Sequence, residues 1–433
     1  MTSFSRRAFL AASTAALSLG AIGKAGAQSA QPVRIGVVLP SKTGATFVRA
    51  SVNDFIGEEA RMGAVLADSQ LDSVAEADGF VLQLQMATSP TVDAAIRAGE
   101  RLVETGNICA LIGGVGEGQA EALAEIASRA KIPFFNIGET SDLMRKDQCS
   151  RYVFHVEASD AMYVDALGQL AAAQGYRNWY VVADQTERGQ GLLERANVAA
   201  EKAGCTIVGS SSVREAQSVY YREVDELALD EADVVLVLIQ AFDQFPFILA
   251  MEEAGIATPL LTFPYTITQT RDYISAARYR LPRLNPSHRV ALWETTNPAP
   301  EAEAFNERIR AQWGEGADPT AWATFHAIKI VLESVIATGS IEADTLIAHL
   351  EKPDTTFDLL KGPGVSFRPW DHQLRQPLYG ITVDQEAEWH IMDLDSRIGI
   401  ARFDSVIPSG EPGADAVAWL DTLGDSSEGV CGA

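Results

Sequence analysis

The chain has 433 residues, of which 47% are hydrophobic, and it carries a formal charge of −24 at pH 7. So acidic a protein is repelled by nucleic acids and anionic membranes, and we expect neither as a partner. The length exceeds what one hydrophobic core usually accommodates, which predicts two domains.

The first 27 residues have the features of an export signal. Ser5-Arg6-Arg7-Ala8-Phe9-Leu10 is a twin-arginine motif, and Ala25-Gly26-Ala27 fits a cleavage site. The apolar stretch Ala8–Ile22 is too short and too rich in alanine for a stable membrane span. We expect cleavage before Gln28, which removes three basic residues, changes the charge from −24 to −27 and leaves a soluble exported protein.

Apolar runs typical of strands alternate along the rest of the chain with segments that have apolar residues at helical spacing. The predicted strands are 33–39, 80–86, 107–112, 132–137, 179–183, 205–208 and 233–240; the predicted helices are 56–66, 120–131, 160 to about 175, 192–203 and 319–338. Asp160 is expected to cap its helix. This alternation predicts parallel α/β sheets, and the unit recurs too often for one sheet, which favours two lobes.

The stretch Gly113–Gln119 is rich in glycine and joins a predicted strand to a predicted helix. It does not match the dinucleotide fingerprint, because the third glycine position is occupied by Gln119 or Glu121, depending on the register. It does not end in the Gly-Lys-Ser/Thr of a P-loop either, so we do not expect nucleotide binding. Two interpretations remain: a turn that brings the backbone close to a small ligand, or simply a tight turn.

Cysteine and histidine positions argue against a metal site. The six histidines never fall at metal-ligand spacing, and the sequence contains no Cys-x-x-Cys and no Gly-x-Ser-x-Gly. Cys109 and Cys205 lie in or beside apolar runs and favour burial, whereas Cys149 follows a polar loop and Cys431 is near the end of the chain. A bridge from Cys149 to Cys431 would tether the tail in an oxidising compartment, but the sequence leaves the pairing open.

Several motifs, taken in order, resemble one known family. They are the export signal, Ile35-Gly-Val-Val-Leu-Pro-Ser-Lys-Thr-Gly44, Ala110-Leu-Ile-Gly-Gly114, Ile132-Pro-Phe-Phe-Asn-Ile-Gly138, Gly189-Gln-Gly191, Ala323-Thr-Phe-His-Ala-Ile-Lys329, Thr338-Gly-Ser340, Phe367-Arg-Pro-Trp-Asp-His-Gln373 and Arg375-Gln-Pro377. Each motif is weak alone, but together they resemble the periplasmic solute-binding proteins of ABC importers of the branched-chain amino-acid (Leu/Ile/Val-binding) type. The resemblance covers about residues 33–385.

The resemblance implies a type I periplasmic binding protein fold, with two doubly wound parallel-sheet lobes joined by three crossover segments. Lobe 1 would contain residues 28–156 and 293–364, and lobe 2 residues 157–292 and 365–400. Residues 401–433 would form a C-terminal extension.

The ligand-binding positions of the family fall on loops that follow predicted strands. The resemblance assigns this role to Gly116, Gly118, Gln119, Glu139, Thr140, Arg188, Asp243 and Tyr265. Several of these residues also have structural interpretations: Thr140 as a helix cap for 141–145, Arg188 as a solvated charge, and Tyr265 as a core residue. Amino-acid binders usually place an acidic residue near the position of Tyr265 to hold the ligand's ammonium, and Asp243 or Glu139 would have to substitute for it here.

The function that this resemblance implies is capture of a small polar or amphipathic metabolite, such as an amino acid, an amide or a carboxylate, between two lobes. The protein would act in the periplasm as a monomer without cofactor or metal and would deliver its ligand to the permease of an ABC importer. Two alternatives stay open. One is a ligand-binding sensor for a signalling receptor, and the other is an exported α/β enzyme with Asp184, Arg188 and Asp243 as its catalytic cluster.

Overall fold

A computed structural model of the chain describes residues 30–40, 52–146, 148–281, 288–384, 386–390, 393–424 and 431. The expected export signal lies outside the described residues. The strands are β1 (Gln31–Leu39), β2 (Phe80–Thr88), β3 (Ala110–Gly113), β4 (Phe134–Asn136), β5 (Val153–His155), β6 (Asn178–Asp184), β7 (Thr206–Val213), β8 (Val234–Leu238), β9 (Leu260–Thr262), β10 (His288–Ala291), β11 (Ser366–Phe367), β12 (Leu374–Arg375), β13 (Leu378–Val383) and β14 (Ala401–Ile407).

Helices alternate with these strands. They are α1 (Val52–Ala77), α2 (Val92–Thr105), α3 (Gln119–Ala130), α4 (Asp160–Ala173), α5 (Glu187–Ala203), α6 (Tyr221–Asp225), α7 (Ala241–Glu253), α8 (Arg271–Arg280), α9 (Pro300–Trp313), α10 (Pro319–Thr338), α11 (Ala343–Leu350) and α12 (Ala416–Leu420), with short 3₁₀ helices at Asp142–Arg145, Thr266–Gln269 and Asp395–Ile400.

Two parallel sheets form the centres of two lobes, as predicted. The sheet of lobe 1 has the strand order β2-β1-β3-β4-β5, and that of lobe 2 has the order β7-β6-β8-β9. Their central strands β3 and β8 are buried along their whole length, which explains their uninterrupted apolar sequences. The α/β fold class is therefore confirmed.

A third, antiparallel sheet was not predicted. Its strand order is β10-β13-β14, and it packs beside lobe 2. We therefore propose that the chain passes between the lobes after β5, after β10 and between β12 and β13.

The short hairpin of β11 and β12 lies against lobe 1. The His155 amide at the end of β5 donates to the carbonyl of His372 (2.9 Å), and the rings of Phe154 and His372 stack with centroids 4.3 Å apart. Phe367 also contacts Phe154, with centroids 5.1 Å apart. The expected change of lobe between residues 364 and 365 falls before this hairpin, so we propose that the third crossover instead follows Arg375.

Helix α10 packs closely on α1 in lobe 1. It has Pro319 in its first turn and ends at Gly339, whose φ of +63° suits glycine. At the contact, a Cβ on Gly63 would lie 2.1 Å from the Ala321 carbonyl oxygen, so only glycine permits this approach. Within the described residues α10 is the one helix long and apolar enough to cross a membrane, and 78% of that stretch is buried inside the protein.

A disulfide joins Cys149 to Cys431, which is one of the pairings that the sequence left open. The other two cysteines are free: Cys109 is buried and Cys205 is half-buried. Burial raises the pKa of the Cys109 thiol to about 12, so this side chain behaves as a small apolar group.

Candidate functional site

The loops after β4 and β6, the start of α4 and the segment after β9 meet at the carboxyl ends of the two parallel sheets. The loop after β4 is shaped by Asn136, whose side-chain oxygen accepts hydrogen bonds from the amides of Gly138 (3.1 Å) and Glu139 (2.9 Å). The Asn136 side-chain nitrogen donates to the Glu139 carbonyl (2.6 Å). This turn fixes where the Glu139 and Thr140 side chains leave the backbone.

Arg188 is the centre of a cluster that includes Glu139, Thr140 and Asp160. Its Nε donates to Asp160 Oδ2 (3.0 Å) and its Nη2 to Asp160 Oδ1 (2.7 Å), a bidentate pair. The Thr140 hydroxyl donates to the same Asp160 Oδ1 (2.6 Å) and accepts from Arg188 Nη2. Glu139 Oε1 lies 3.4 Å from Arg188 Nη1. Three predicted residues are thus brought together: Glu139 and Thr140 from the loop after β4, and Arg188 from the first turn of α5.

Carboxylates outnumber the guanidinium in this cluster. Burial lowers the pKa of Arg188, but the charges of Asp160 and Glu139 outweigh burial and hold that pKa above its ordinary value. Burial, reinforced by the charge of Glu139, raises the pKa of the neighbouring Glu121. Arg188 is therefore permanently charged and locally neutralised, and the cluster as a whole is acidic.

Tyr265 forms an aromatic wall beside Arg188. The guanidinium carbon of Arg188 lies 5.1 Å from the centre of the Tyr265 ring, and the Phe263 ring lies 4.7 Å from that ring. The ring of Tyr265 is 91% buried, and its hydroxyl has no hydrogen-bond partner among the described residues. Burial raises the pKa of this hydroxyl, so it stays protonated and can donate a hydrogen bond.

The two lobes touch at this cluster. The hydroxyl of Thr266, in the segment after β9, donates to the carbonyl of Gly138 in the loop after β4 (2.7 Å). Gly138 itself has no room for a side chain, because a Cβ there would lie 2.8 Å from the Gly114 carbonyl oxygen and 2.9 Å from Val115 Cα. The described conformation is therefore closed over the site.

The glycine-rich loop after β3 lies next to this arrangement. Gly116 (φ +104°) and Gly118 (φ +71°) adopt backbone conformations that favour glycine, and Gly118 caps α3. The Gln119 side chain is buried and makes both of its hydrogen bonds with Ser89: Nε2 donates to the Ser89 carbonyl (2.9 Å) and Oε1 accepts from the Ser89 hydroxyl (3.0 Å). Its amide thus stabilises the loop, and ligand binding by these three residues stays a prediction.

Asp243 binds the backbone of lobe 2. Its Oδ2 accepts a hydrogen bond from the Ala216 amide (2.9 Å) in the segment between β7 and α6. Asp184, in turn, accepts from the Thr186 amide (3.0 Å). No contact within the described ranges joins Asp184, Arg188 and Asp243, so the geometry gives no support to them as one catalytic cluster.

Sequence reasoning missed Asp160 as a member of the cluster. Its predicted role as helix cap is wrong, because Ser159 caps α4 by accepting from the Met162 amide (3.0 Å). The cap role suggested for Thr140 also belongs to its neighbour, since Ser141 accepts from the Leu143 amide. The adjacent pair Ser159-Asp160 was the available signal: once one residue caps the helix, the other is free for another partner.

A second buried polar network lies where the three crossover segments meet. The Tyr163 hydroxyl donates to Glu157 in the first crossover (2.6 Å) and accepts from Gln269 (3.0 Å). Lys361 donates to the Leu292 carbonyl in the second crossover and to Gln376 Oε1 (2.8 Å) beside the third. Burial raises the pKa of Glu157 to about 7 and lowers that of Lys361 far below its ordinary value.

Among the described residues no group of histidine, cysteine, aspartate and glutamate side chains could hold a metal ion. The arrangement is one for binding: two α/β lobes, joined by three crossovers, close over polar loops and an aromatic wall. These features define a two-lobed solute-binding protein. The sequence profile of the periplasmic binding protein family matches residues 32–388, and the chain belongs to that family.

Solved structures with the same fold support this assignment. A branched-chain amino acid ABC transporter periplasmic ligand-binding protein from Burkholderia xenovorans LB400 is 16% identical, with 87% of this chain and 95% of that chain covered and a TM-score of 0.72. An amino acid ABC transporter substrate-binding protein from Pseudomonas fluorescens Pf-5 is 18% identical, with coverage of 90% and 99% and a TM-score of 0.71. At these identities the likeness shows the shared fold.

A solute-binding protein of an ABC transporter from R. palustris, solved in complex with benzoate, is 18% identical, with coverage of 82% and 93% and a TM-score of 0.63. No curated protein sequence matches the chain. The match to the family profile confirms, at the level of the family, the resemblance inferred from the sequence motifs.

Proposed function

We propose that this protein is exported through its twin-arginine signal, captures a small polar or amphipathic metabolite between its lobes in the periplasm, and delivers it to an ABC importer. One observation carries the proposal: segments from both lobes meet around Arg188, and the buried hydroxyl of Tyr265 has no partner in the part of the chain that the structure describes. A buried donor without a partner costs free energy that a ligand acceptor would recover. Such a group at a lobe boundary fits a ligand contact better than a packing role.

Binding would act by shifting the protein towards the closed state. The contact between Thr266 and Gly138 forms only when the lobes are together, and a ligand that touches Glu139 and Thr140 on one side and Arg188 and Tyr265 on the other adds to it. The shift is limited by how much more tightly the closed state binds the ligand than the open state does. No bond is made or broken.

Charge favours some ligands over others. Arg188 already donates through Nε and Nη2 to Asp160 and Thr140, and its Nη1 faces Glu139, so a ligand carboxylate would meet a guanidinium whose charge is already neutralised and would be repelled by Glu139. A ligand that presents an amine or an amide N–H would instead meet the acidic surroundings of Glu139. Among amino acids, amides and carboxylates, we therefore expect the first two to bind better than a simple carboxylate of the same size.

The remaining predicted residues would contribute less directly. Gly116 and Gly118 let the loop after β3 approach the cleft, and Gln119 holds that loop through Ser89. Asp243 would act at most at the edge of the cleft, because its carboxylate is engaged with the Ala216 amide.

The test is a thermal-shift screen of residues 28–433 against amino acids, amides, amines and short or aromatic carboxylates, followed by recovery of the ligand. A ligand at about a hundred times its dissociation constant adds about 2.7 kcal/mol, which raises the melting temperature by several degrees. Tyr265→Phe should lower the affinity for the best ligand by about tenfold, because it removes one hydrogen bond to the ligand. The unliganded variant should be at least as stable as wild type, since the hydroxyl that it removes is buried and has no partner among the described residues.

Tyr180→Phe is the matched control, because the Tyr180 hydroxyl bonds to Ser211 away from the cleft (2.7 Å). Equal loss of affinity in both variants would refute the site. A chemically altered ligand after incubation would refute the carrier function. Delivery to an importer is tested separately by uptake of the labelled ligand in a strain that lacks the gene, where wild-type protein should restore uptake and the Tyr265→Phe variant should restore less.

A further inference from the structure

The C-terminal segment begins in lobe 2. Strand β14 pairs with β13 over Ala401–Ile407, and the Ser409 amide then donates a hydrogen bond to Gln169 Oε1 of α4 (3.4 Å). These contacts attach the start of the segment to the antiparallel sheet and to the first helix of lobe 2.

The segment then crosses to the hairpin of lobe 1. Asp421 accepts hydrogen bonds from Arg368 Nε (3.0 Å) and Arg375 Nε (2.9 Å), both on the hairpin. The Arg368 Nη2 donates to the Leu423 carbonyl (2.6 Å), and the Leu420 and Leu423 side chains are completely buried. Two buried leucines and a shared carboxylate anchor this part of the segment.

The residue after Leu423 is also in contact with lobe 2. The Gly424 amide donates to Asp165 Oδ2 of α4 (3.1 Å), and that carboxylate also pairs with Arg195. The segment ends on lobe 1, where the Cys431 amide donates to the Trp370 carbonyl (2.8 Å) and its sulfur is joined to Cys149, in the loop before β5.

We propose that residues 401–424 together with Cys431 form a fourth connection between the lobes, closed by the Cys149–Cys431 disulfide, which limits how far the cleft opens. The three crossovers already join the lobes, and this connection adds a covalent tie between β14 on one lobe and the loop before β5 on the other. A cross-link removes conformations that an untied chain would reach, and here those are the widely open ones. The binding protein would therefore release and admit ligand through a smaller rotation than the three crossovers alone allow.

This inference uses the lobe motion of the proposed function, but its test needs no ligand. The ligand-free Cys149→Ser/Cys431→Ser protein is compared with wild type by small-angle X-ray scattering and by hydrogen exchange of the crossover segments. We expect a larger radius of gyration, and exchange at residues 155–158, 291–294 and 376–378 that is faster by about threefold or more. Cys205→Ser is the matched control, since that free thiol lies on lobe 2 outside the connection, and it should match wild type.

Wild type treated with a phosphine reductant gives a second measurement on a chain that has folded with its disulfide, so a folding defect of the double variant does not decide the outcome. Asp421→Asn should produce a smaller change in the same direction, because it weakens the pairing with Arg368 and Arg375. An unchanged radius and unchanged crossover exchange in the reduced protein would overturn the fourth connection. That result would leave the ligand-binding proposal standing, which the thermal-shift screen decides.

Discussion

Glu157→Gln should make the protein more stable at neutral and alkaline pH. Glu157 lies in the first crossover and is completely buried. Its Oε1 accepts from the Tyr163 hydroxyl (2.6 Å) and the Ala158 amide (2.9 Å), while its other oxygen has no partner in the described part of the chain. Burial raises its pKa from 4.5 to about 7. Glutamine has the shape of the protonated acid and keeps the accepting oxygen, so it removes the titration and little else.

The sign and size follow from linkage. The folded protein binds the Glu157 proton more tightly than the unfolded chain does, so this group stabilises the fold below pH 4.5, and that contribution is lost as the pH rises through about 7. The difference between the two pKa values corresponds to about 3 kcal/mol. Relative to wild type, the free energy of unfolding of Glu157→Gln should therefore rise by about 3 kcal/mol between about pH 4 and about pH 8.

Urea unfolding followed by circular dichroism at several pH values measures this difference. Glu201→Gln, on the exposed side of α5, is the control, and its difference from wild type should stay within about 0.5 kcal/mol throughout. A difference for Glu157→Gln that does not change with pH would refute the reasoning, because it would mean that the buried carboxyl titrates as it does in the unfolded chain.

Two further substitutions test the closed arrangement and the crossover network. Gly138→Ala places a Cβ within 3 Å of backbone atoms of Gly114 and Val115, so it should lower the free energy of unfolding by about 1–3 kcal/mol, lower the melting temperature and weaken ligand binding. The control is Gly191→Ala, whose Cβ would meet nothing within 4 Å and which should change neither stability nor binding. Lys361→Met keeps the apolar stem but removes the ammonium that donates to the Leu292 and Pro377 carbonyls. This should lower the free energy of unfolding by about 1–3 kcal/mol. A loss of stability no larger than that of the exposed variant Lys352→Met would contradict the network.

Local sequence patterns predicted seven of the nine strands in the two parallel sheets, because a strand buried on both faces is almost entirely apolar, and they missed β5 and β9, which have three residues each. The runs that became β1, β6 and β8 are nearly all apolar, as strands covered on both faces must be. The antiparallel strands β10 and β14 have no such apolar run in their sequences. Each is short or half-exposed, and they pair with β13 across long stretches of chain, so the sheet is specified by tertiary contacts.

The candidate site was predicted in part for a similar reason. Glu139, Thr140 and Tyr265 lie in segments that follow strands, and Arg188 lies in the first turn of α5, so their positions follow from the order of strands and from the family resemblance. Asp160, which holds Arg188, lies 28 residues away from it, and the one local sign that this aspartate is not the cap is the serine before it. The fixing of Gln119 by Ser89, 30 residues away, is likewise visible only once the chain is folded.

The contact between Gly63 and Ala321 affects the order in which the lobes fold during synthesis of the chain. Helix α10 completes the core of lobe 1 but begins 242 residues after the end of α1, with all of the lobe 2 parallel sheet in between. A growing chain therefore cannot finish lobe 1 until lobe 2 is largely synthesised, and a fragment that stops before residue 319 leaves the buried face of α1 uncovered. To express either lobe alone, its separate chain segments would have to be joined by a new linker. In a protein whose domains are each one continuous segment, a single truncation is enough.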